Sequence, residues 1–163
     1  MSSRRTQSAV MGPSQLGKLI ESLTSRGYEV LGPTVRDGAI IYDRIESVAD
    51  LPTGWTDEQK PGQYRLKRRE DEAVFGYVVG PQSWKKYLHP AEVKLFSAER
   101  RDGTFRILNN KEKPKHPFAF LGVRACELKA IETQDRVLLG GEYRDSVYRG
   151  RRENVFIIVT QCT

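Results

Sequence analysis

The stretch that decides the fold of this chain is Phe118-Ala119-Phe120-Leu121-Gly122-Val123-Arg124-Ala125-Cys126. Its first six residues predict a buried strand, and the pattern that follows predicts a helix over residues 126–138. A second apolar run over 155–160 comes after a predicted loop at 139–153. Strand, helix and strand in this order predict a βαβ unit, and uniformly apolar strands are typical of parallel strands covered on both faces.

Shorter elements, separated by turn signals, precede this unit. Helical spacing of leucines predicts a first helix over 14–26, and residues 83–88 predict one or two further helical turns. Asp-Gly pairs at 37–38 and 102–103 predict hairpins between strands at 28–31 and 39–44, and at 92–99 and 104–108. Gly32-Pro33 is expected to break the first strand. The remaining predictions are a long connection over 46–61 and a strand pair at 63–69 and 74–79 with residues 68–72 as its turn.

These patterns predict an α/β fold with a mixed sheet, antiparallel hairpins in the first two thirds and a C-terminal βαβ unit; α+β is the alternative. A length of 163 residues fits one domain over 14–163, preceded by a disordered basic tail at 1–13. The sequence shows neither an apolar run long enough to cross a bilayer nor a secretory signal. Two cysteines do not make a disulfide framework, which favours a cytoplasmic location.

The net charge of +6 comes from scattered basic clusters. Such clusters are compatible with nucleic-acid binding, with solvated loops, or with a surface that docks an acidic protein. Nucleic acid is not favoured, because acidic residues are interleaved with the basic ones. In addition, no recognition-helix or RNA-binding aromatic motif is present.

Each of the two cysteines follows one of the two apolar runs. Cys126 follows the first run and opens the predicted helix, and Cys162 follows the second. Ligands collect beyond the carboxyl ends of parallel strands, and adjacent strands lie about 4.8 Å apart, so the two thiols are candidates to share a metal or cluster. The alternative is that each is a small buried hydrophobic residue. His89 and His116 are the other soft ligands, and both lie in proline-flanked loops where solvated side chains are the commoner finding.

Other candidate sites carry weaker signals. The glycines do not form a phosphate-binding loop, and neither a Ser-His-Asp order nor a catalytic carboxylate pair stands out. Residues 70–72 are acidic in a predicted turn, where solvation explains them. Trp84 is either an interface anchor or a core residue packed with Leu88, and the core is favoured.

Several motifs resemble one family. The stretch over 122–131, together with Asp135-Arg136-Val137, resembles the "GVRPCDL.AI...D..F" segment of an iron–sulfur electron-transfer subunit family. The family includes the beta subunit of cytoplasmic sulfhydrogenases and the corresponding iron–sulfur component of anaerobic sulfite reductase. The segments at 62–66, 80–90 and 159–163 resemble its "GxYRL", "GP.S.K.FL.PP" and "CT.PGGTCFC" motifs, in the same order.

The resemblance implies that this chain is the N-terminal part of a longer protein that carries [4Fe–4S] clusters. Cys126 and Cys162 match family cysteines, and we expect them to ligate a cluster together with cysteines outside this sequence. It further implies flavin- or nicotinamide-binding and catalytic subunits as partners, with no cofactor and no turnover in this fragment alone. Ala125 replaces the family's usual proline, which makes the loop before Cys126 less rigid. The alternatives are a docking domain with inert cysteines and a basic nucleic-acid-binding module.

Overall fold

A computed structural model describes residues 11–78, 80, 82–108 and 114–161. The helices are α1 (Leu16–Ser25), α2 (Lys85–Leu88), α3 (Ala125–Leu139) and α4 (Ser146–Arg152), with short 3-10 turns at Pro13–Gln15 and Val48–Asp50. The strands are β1 (Glu29–Arg36), β2 (Ala39–Arg44), β3 (Trp55–Lys60), β4 (Gln63–Arg68), β5 (Ser97–Arg101), β6 (Thr104–Leu108), β7 (Phe118–Arg124) and β8 (Phe156–Thr160). No helix within these ranges is long and apolar enough to cross a membrane.

The centre of the fold is a four-stranded mixed sheet with the order β2-β1-β7-β8. Strands β1 and β2 form an antiparallel hairpin, whereas β1 and β8 both run parallel to β7. The prediction of a mixed α/β sheet with a C-terminal βαβ unit is therefore confirmed. The predicted turn at Asp37-Gly38 is also present, with φ angles of 50° and 72° that match the two positive values of a type I′ turn.

Alternating side chains build a separate core on each face of this sheet. On one face, Ile20 of α1 packs with Val30 and Leu121. On the other face, the next residue along β1, Leu31, packs with Phe120 and with residues of α2, α3 and α4. Because the period of a strand is two residues, a single apolar run supplies both cores. Every residue of β7 except Arg124 is buried.

Gly122 produces a bulge in β7 that changes the side to which the end of the strand points. The pairing with β8 is Leu121 to Ile158 and then Val123 to Val159, so Gly122 is the extra residue. Its φ of 87° lies in the left-handed region that glycine adopts readily. As a result Val123 joins the same core as Phe120.

Strand β1 continues through Gly32-Pro33, where the sequence predicted a break. Pairing with β7 ends at Leu31, and beyond it Pro33 and the rest of the strand pair with β2 alone. A proline is tolerated where one edge of the strand is unpaired.

The predicted pairing of 63–69 with 74–79 is wrong. Strand β4 instead pairs with β3, which lies in the segment expected to be a long connection, and Pro61-Gly62 forms the turn. The sequence Trp55–Lys60 has little apolar pattern because this two-stranded ribbon is largely solvated, so hydrophobic periodicity did not reveal it. Residues 71–78 have no regular strand, and residue 79 lies outside the described residues.

Two further differences concern the last third of the chain. The predicted loop over 139–153 contains α4, whose N-cap Asp145 accepts a hydrogen bond from the backbone N–H of Tyr148 at 2.8 Å. The helix is held to α3 by Arg152, which contacts the Asp135 carboxylate at 3.0 to 3.1 Å. Strand β8 lies at the edge of the sheet and is not covered on both faces, since Phe156 is 47% exposed.

Candidate functional site at the carboxyl edge of the sheet

Cys126 lies at the start of α3, immediately after the end of β7. It is the second residue of the helix and its side chain is exposed. The alternative that this cysteine is a small buried hydrophobic residue is therefore wrong. The first backbone N–H groups of a helix have no intrahelical partner, so an exposed thiol here lies beside open hydrogen-bond donors.

A buried carboxylate fixes the turn that carries Cys126. Glu127 is 8% exposed, and its Oε2 accepts a hydrogen bond from the backbone N–H of Arg124 at 3.0 Å. Its Oε1 accepts a hydrogen bond from the hydroxyl of Tyr42 on β2 at 2.5 Å. Burial, and then the hydrogen bond to Glu127, raise the pKa of Tyr42, so the phenol keeps its proton and donates. The start of α3 is thus tied to two strands of the sheet.

Short helix α2 is held over the same region. Trp84 is 1% exposed and stacks between Tyr42 and Phe120, with ring centroids 4.1 and 4.6 Å away. The backbone carbonyl of Tyr42 accepts hydrogen bonds from Lys86 Nζ at 2.6 Å and from the Tyr87 hydroxyl at 2.8 Å. Desolvation lowers the pKa of Lys86. Trp84 is therefore a core residue, as favoured from the sequence, and Leu88 is buried in the same core.

The register of β7 and β8 bears directly on the two cysteines. Arg124 is the partner of Thr160 across the parallel pair. Cys126 follows Arg124 by two positions in the sequence, and Cys162 follows Thr160 by two positions. Cys162 itself lies outside the described residues.

A cleft of about 650 Å³ opens beside these strand ends, and we call it the carboxyl-edge cleft. Its lining residues are Thr56, Arg69, Asp71, Ala73, Phe75, Gly76, Tyr77, Val78, Arg124, Thr160 and Gln161. Arg124 donates to the backbone carbonyls of Phe75 and Tyr77, and its guanidinium lies 4.6 Å from the Tyr77 ring centroid. Cationic groups therefore line the cleft at the position where ligands collect in open α/β sheets.

The acidic residues at 70–72 are not the turn of a hairpin. Arg69 contacts both carboxylate oxygens of Asp71, at 2.6 and 2.7 Å, and donates to the Gly76 carbonyl at 3.0 Å. The hydrogen bond from Arg69 lowers the pKa of Asp71 to about 2. This ion pair holds the irregular segment that walls the carboxyl-edge cleft.

The two histidines lie far from Cys126. His116 precedes the start of β7 by two residues, whereas Cys126 follows its end by two, and the strand between them spans about 20 Å. His89 lies 3.9 Å from Asp145, whose backbone N–H donates to Leu138, twelve residues along α3 from Cys126 and about 18 Å away. Neither histidine can join Cys126 at one metal.

The donor chemistry of this site fits an iron–sulfur cluster, but the number of donors does not complete one. A thiolate is the usual protein ligand of such clusters, and Cys126 presents an accessible thiol. Within the described residues no group of three or more histidine, cysteine, aspartate and glutamate side chains could hold a metal ion. Further thiolates would have to come from elsewhere.

Sequence reasoning missed several groups around this site. The residues are Tyr42, which holds Glu127, and Arg69 and Arg124, which line the carboxyl-edge cleft. Tyr42 and Glu127 are separated by 85 residues, so no local spacing indicated their contact. The glutamate at the third helical position was the one usable signal, since a carboxylate there typically caps the helix.

No known family, curated protein or solved structure matches this chain. The resemblance to the iron–sulfur electron-transfer subunits therefore stays a prediction.

Proposed function

We propose that this chain is a scaffold and ligand-donating domain of an iron–sulfur electron-transfer subunit in a cytoplasmic redox complex. Cys126 and Cys162 supply two thiolates, and the remaining ligands come from residues outside this sequence. A bound cluster supplies the one-electron chemistry. The partners are flavin- or nicotinamide-binding and catalytic subunits, and this chain contributes no catalytic group of its own.

The observation that carries the proposal is the pairing of Arg124 with Thr160 in adjacent parallel strands. Neighbouring strands lie about 4.8 Å apart, so two chain segments leave the sheet side by side, each with a cysteine two positions later. The thiol on the first segment is exposed. These features support shared ligation over an inert, buried role for Cys126.

The surrounding residues have defined tasks in this proposal. Glu127 and Tyr42 hold the first turn of α3, which fixes the backbone that carries Cys126. Arg124 at the end of β7 brings positive charge to the same edge. Positive charge near a cluster ligated by thiolates favours its reduced, more negative state and raises its potential.

Anaerobic reconstitution of the purified chain with ferrous iron and sulfide, in excess 2-mercaptoethanol, tests ligation. The small thiol completes the ligand set, so we expect bound iron and a sulfur-to-iron absorption band in the wild type. Cys126→Ser and Cys162→Ser should each lose both signals, whereas the matched control Ala125→Ser should keep them. Equal iron in the wild type and in the two cysteine variants would contradict the proposal.

A second measurement tests the convergence of the two sulfurs without any metal. Mild oxidation of the dilute chain should form an intramolecular disulfide, detected as the loss of both free thiols in a monomer. Two reactive thiols that persist after oxidation would show that the sulfurs do not meet. Unfolding by urea should be unchanged in Cys126→Ser, because that side chain is exposed.

A further inference from the structure

The hairpin formed by β5 and β6 exposes apolar side chains to an unusual degree. Its turn at Asp102-Gly103 has φ angles of 49° and 79°, as a tight two-residue connection requires. Phe105 is 72% exposed and Ile107 is 65% exposed. A two-stranded hairpin has no third strand to cover either face, so large apolar groups on it remain in water unless another molecule binds.

The pairing register places these apolar groups together. Ala98 is opposite Ile107, and Arg100 is opposite Phe105. Residues two apart on a strand share a face, so these four residues form one surface, which we call the apolar ribbon face. Just before β5, Phe96 is also exposed, at 58%.

The two faces of the hairpin differ in charge. On the face opposite the apolar ribbon face, Glu99 lies directly across from Arg106, and opposite charges in this position attract. The apolar ribbon face carries Arg100 and no carboxylate. Within the described part of the chain, Arg100 has no ion pair. Aromatic residues with an arginine among them are the composition of protein interface hot spots.

We propose that the apolar ribbon face docks a partner protein that presents an apolar groove with a carboxylate positioned to pair with Arg100. This proposal goes beyond the proposed function and does not depend on cluster ligation. The central position of Arg100 disfavours a second copy of the chain, since a two-fold axis through this face would bring the two guanidinium groups together. It also disfavours a lipid surface, because insertion of Phe105 would carry the adjacent charge into hydrocarbon.

Selection from a random peptide library displayed on phage, with the full chain as bait and Phe105→Ser for counter-selection, tests the proposal. We expect enriched peptides to combine apolar residues with aspartate or glutamate. Synthetic copies of those peptides are then measured by fluorescence anisotropy against charge variants. Arg100→Glu should weaken binding about tenfold or more. The matched control Arg101→Glu makes the same charge change on the opposite face, where Arg101 pairs with Thr104, and should leave affinity within about twofold.

Several results would overturn the proposal. These are equal losses in Arg100→Glu and Arg101→Glu, enrichment of basic peptides, and no enrichment that depends on Phe105. Sedimentation of a dimer that Phe105→Ser abolishes would assign the face to a second copy. Binding to vesicles of phosphatidylcholine and phosphatidylglycerol that the same variant abolishes would assign it to a membrane. Circular dichroism of each variant confirms that the chain is folded.

Discussion

Replacement of Tyr42 by phenylalanine removes one hydroxyl from the interior and leaves the aromatic stack in place. Tyr42 is 3% exposed, and its ring stacks on Trp84 at 4.1 Å, a contact that phenylalanine keeps. The hydroxyl donates to Glu127, which is itself 8% exposed. The substitution therefore leaves a buried carboxylate with one donor fewer.

The size of the effect follows from the kind of bond that is lost. Hydrogen bonds to charged groups contribute about 1.5 to 3 kcal/mol, and an unsatisfied buried acceptor adds a desolvation cost of the same order. We expect Tyr42→Phe to lower the free energy of unfolding by about 2 kcal/mol. For a chain of this size that corresponds to a fall in melting temperature of about 4 to 8 °C.

Urea unfolding monitored by tryptophan fluorescence measures this loss, because Trp84 lies against the altered ring. A double-mutant cycle with Glu127→Gln isolates the pair, and we expect a coupling of about 1 to 2 kcal/mol. Tyr143→Phe is the matched control, since Tyr143 is 89% exposed and its hydroxyl should contribute nothing measurable. A loss below about 0.5 kcal/mol for Tyr42→Phe, or strictly additive single variants, would refute the reasoning.

Three further outcomes are expected. Gly122→Ala should lower the free energy of unfolding by about 2 kcal/mol, because φ is 87° and the added Cβ would lie 2.8 Å from Phe75 Cε1. Arg152→Ala should remove the ion pair with Asp135 and increase amide hydrogen exchange in α4, at a cost of about 1 to 2 kcal/mol. The carboxyl carbon resonance of Asp71 should titrate with a midpoint of about 2. Any stability from its ion pair is present above the unfolded-chain pKa of about 3.9 and is lost as the pH falls through about 2.

Each of these predictions has its own control. Gly141→Ala meets no heavy atom closer than 4.0 Å and should be nearly neutral, so an equal loss at both glycines would remove the argument from the bulge. Arg149→Ala breaks only an exposed pair with Glu153 at 3.7 Å and should cost less than about 0.5 kcal/mol. In Arg69→Gln the Asp71 midpoint should return toward about 3.9; an unchanged midpoint would show that the guanidinium is not the cause.

Local chemistry explains which elements the sequence predicted correctly. The Asp37-Gly38 and Asp102-Gly103 turns both formed, because few residues other than glycine, asparagine and aspartate adopt the positive φ angles of a tight hairpin. The helix after β7 also formed close to its predicted bounds, as Ala125–Leu139.

Elements that depend on distant partners were the ones missed. Trp55–Lys60 pairs with Gln63–Arg68 through backbone hydrogen bonds on a solvated ribbon, which leaves no hydrophobic period to detect. Helix α4 depends on the contact of Arg152 with Asp135, a residue 17 positions earlier. Such contacts are set by the packing of whole elements rather than by neighbouring residues.

The amino-acid sequence by itself determined the order strand, helix and strand in the last third and the position of a cysteine after each strand, since apolar runs and turn residues act over a few positions. Only the tertiary structure decided that Cys126 is exposed and that Arg124 pairs with Thr160. It also brought Tyr42 and Glu127 together across 85 residues. Those outcomes depend on which faces the sheet buries, and burial is a property of the assembled layers rather than of any local segment.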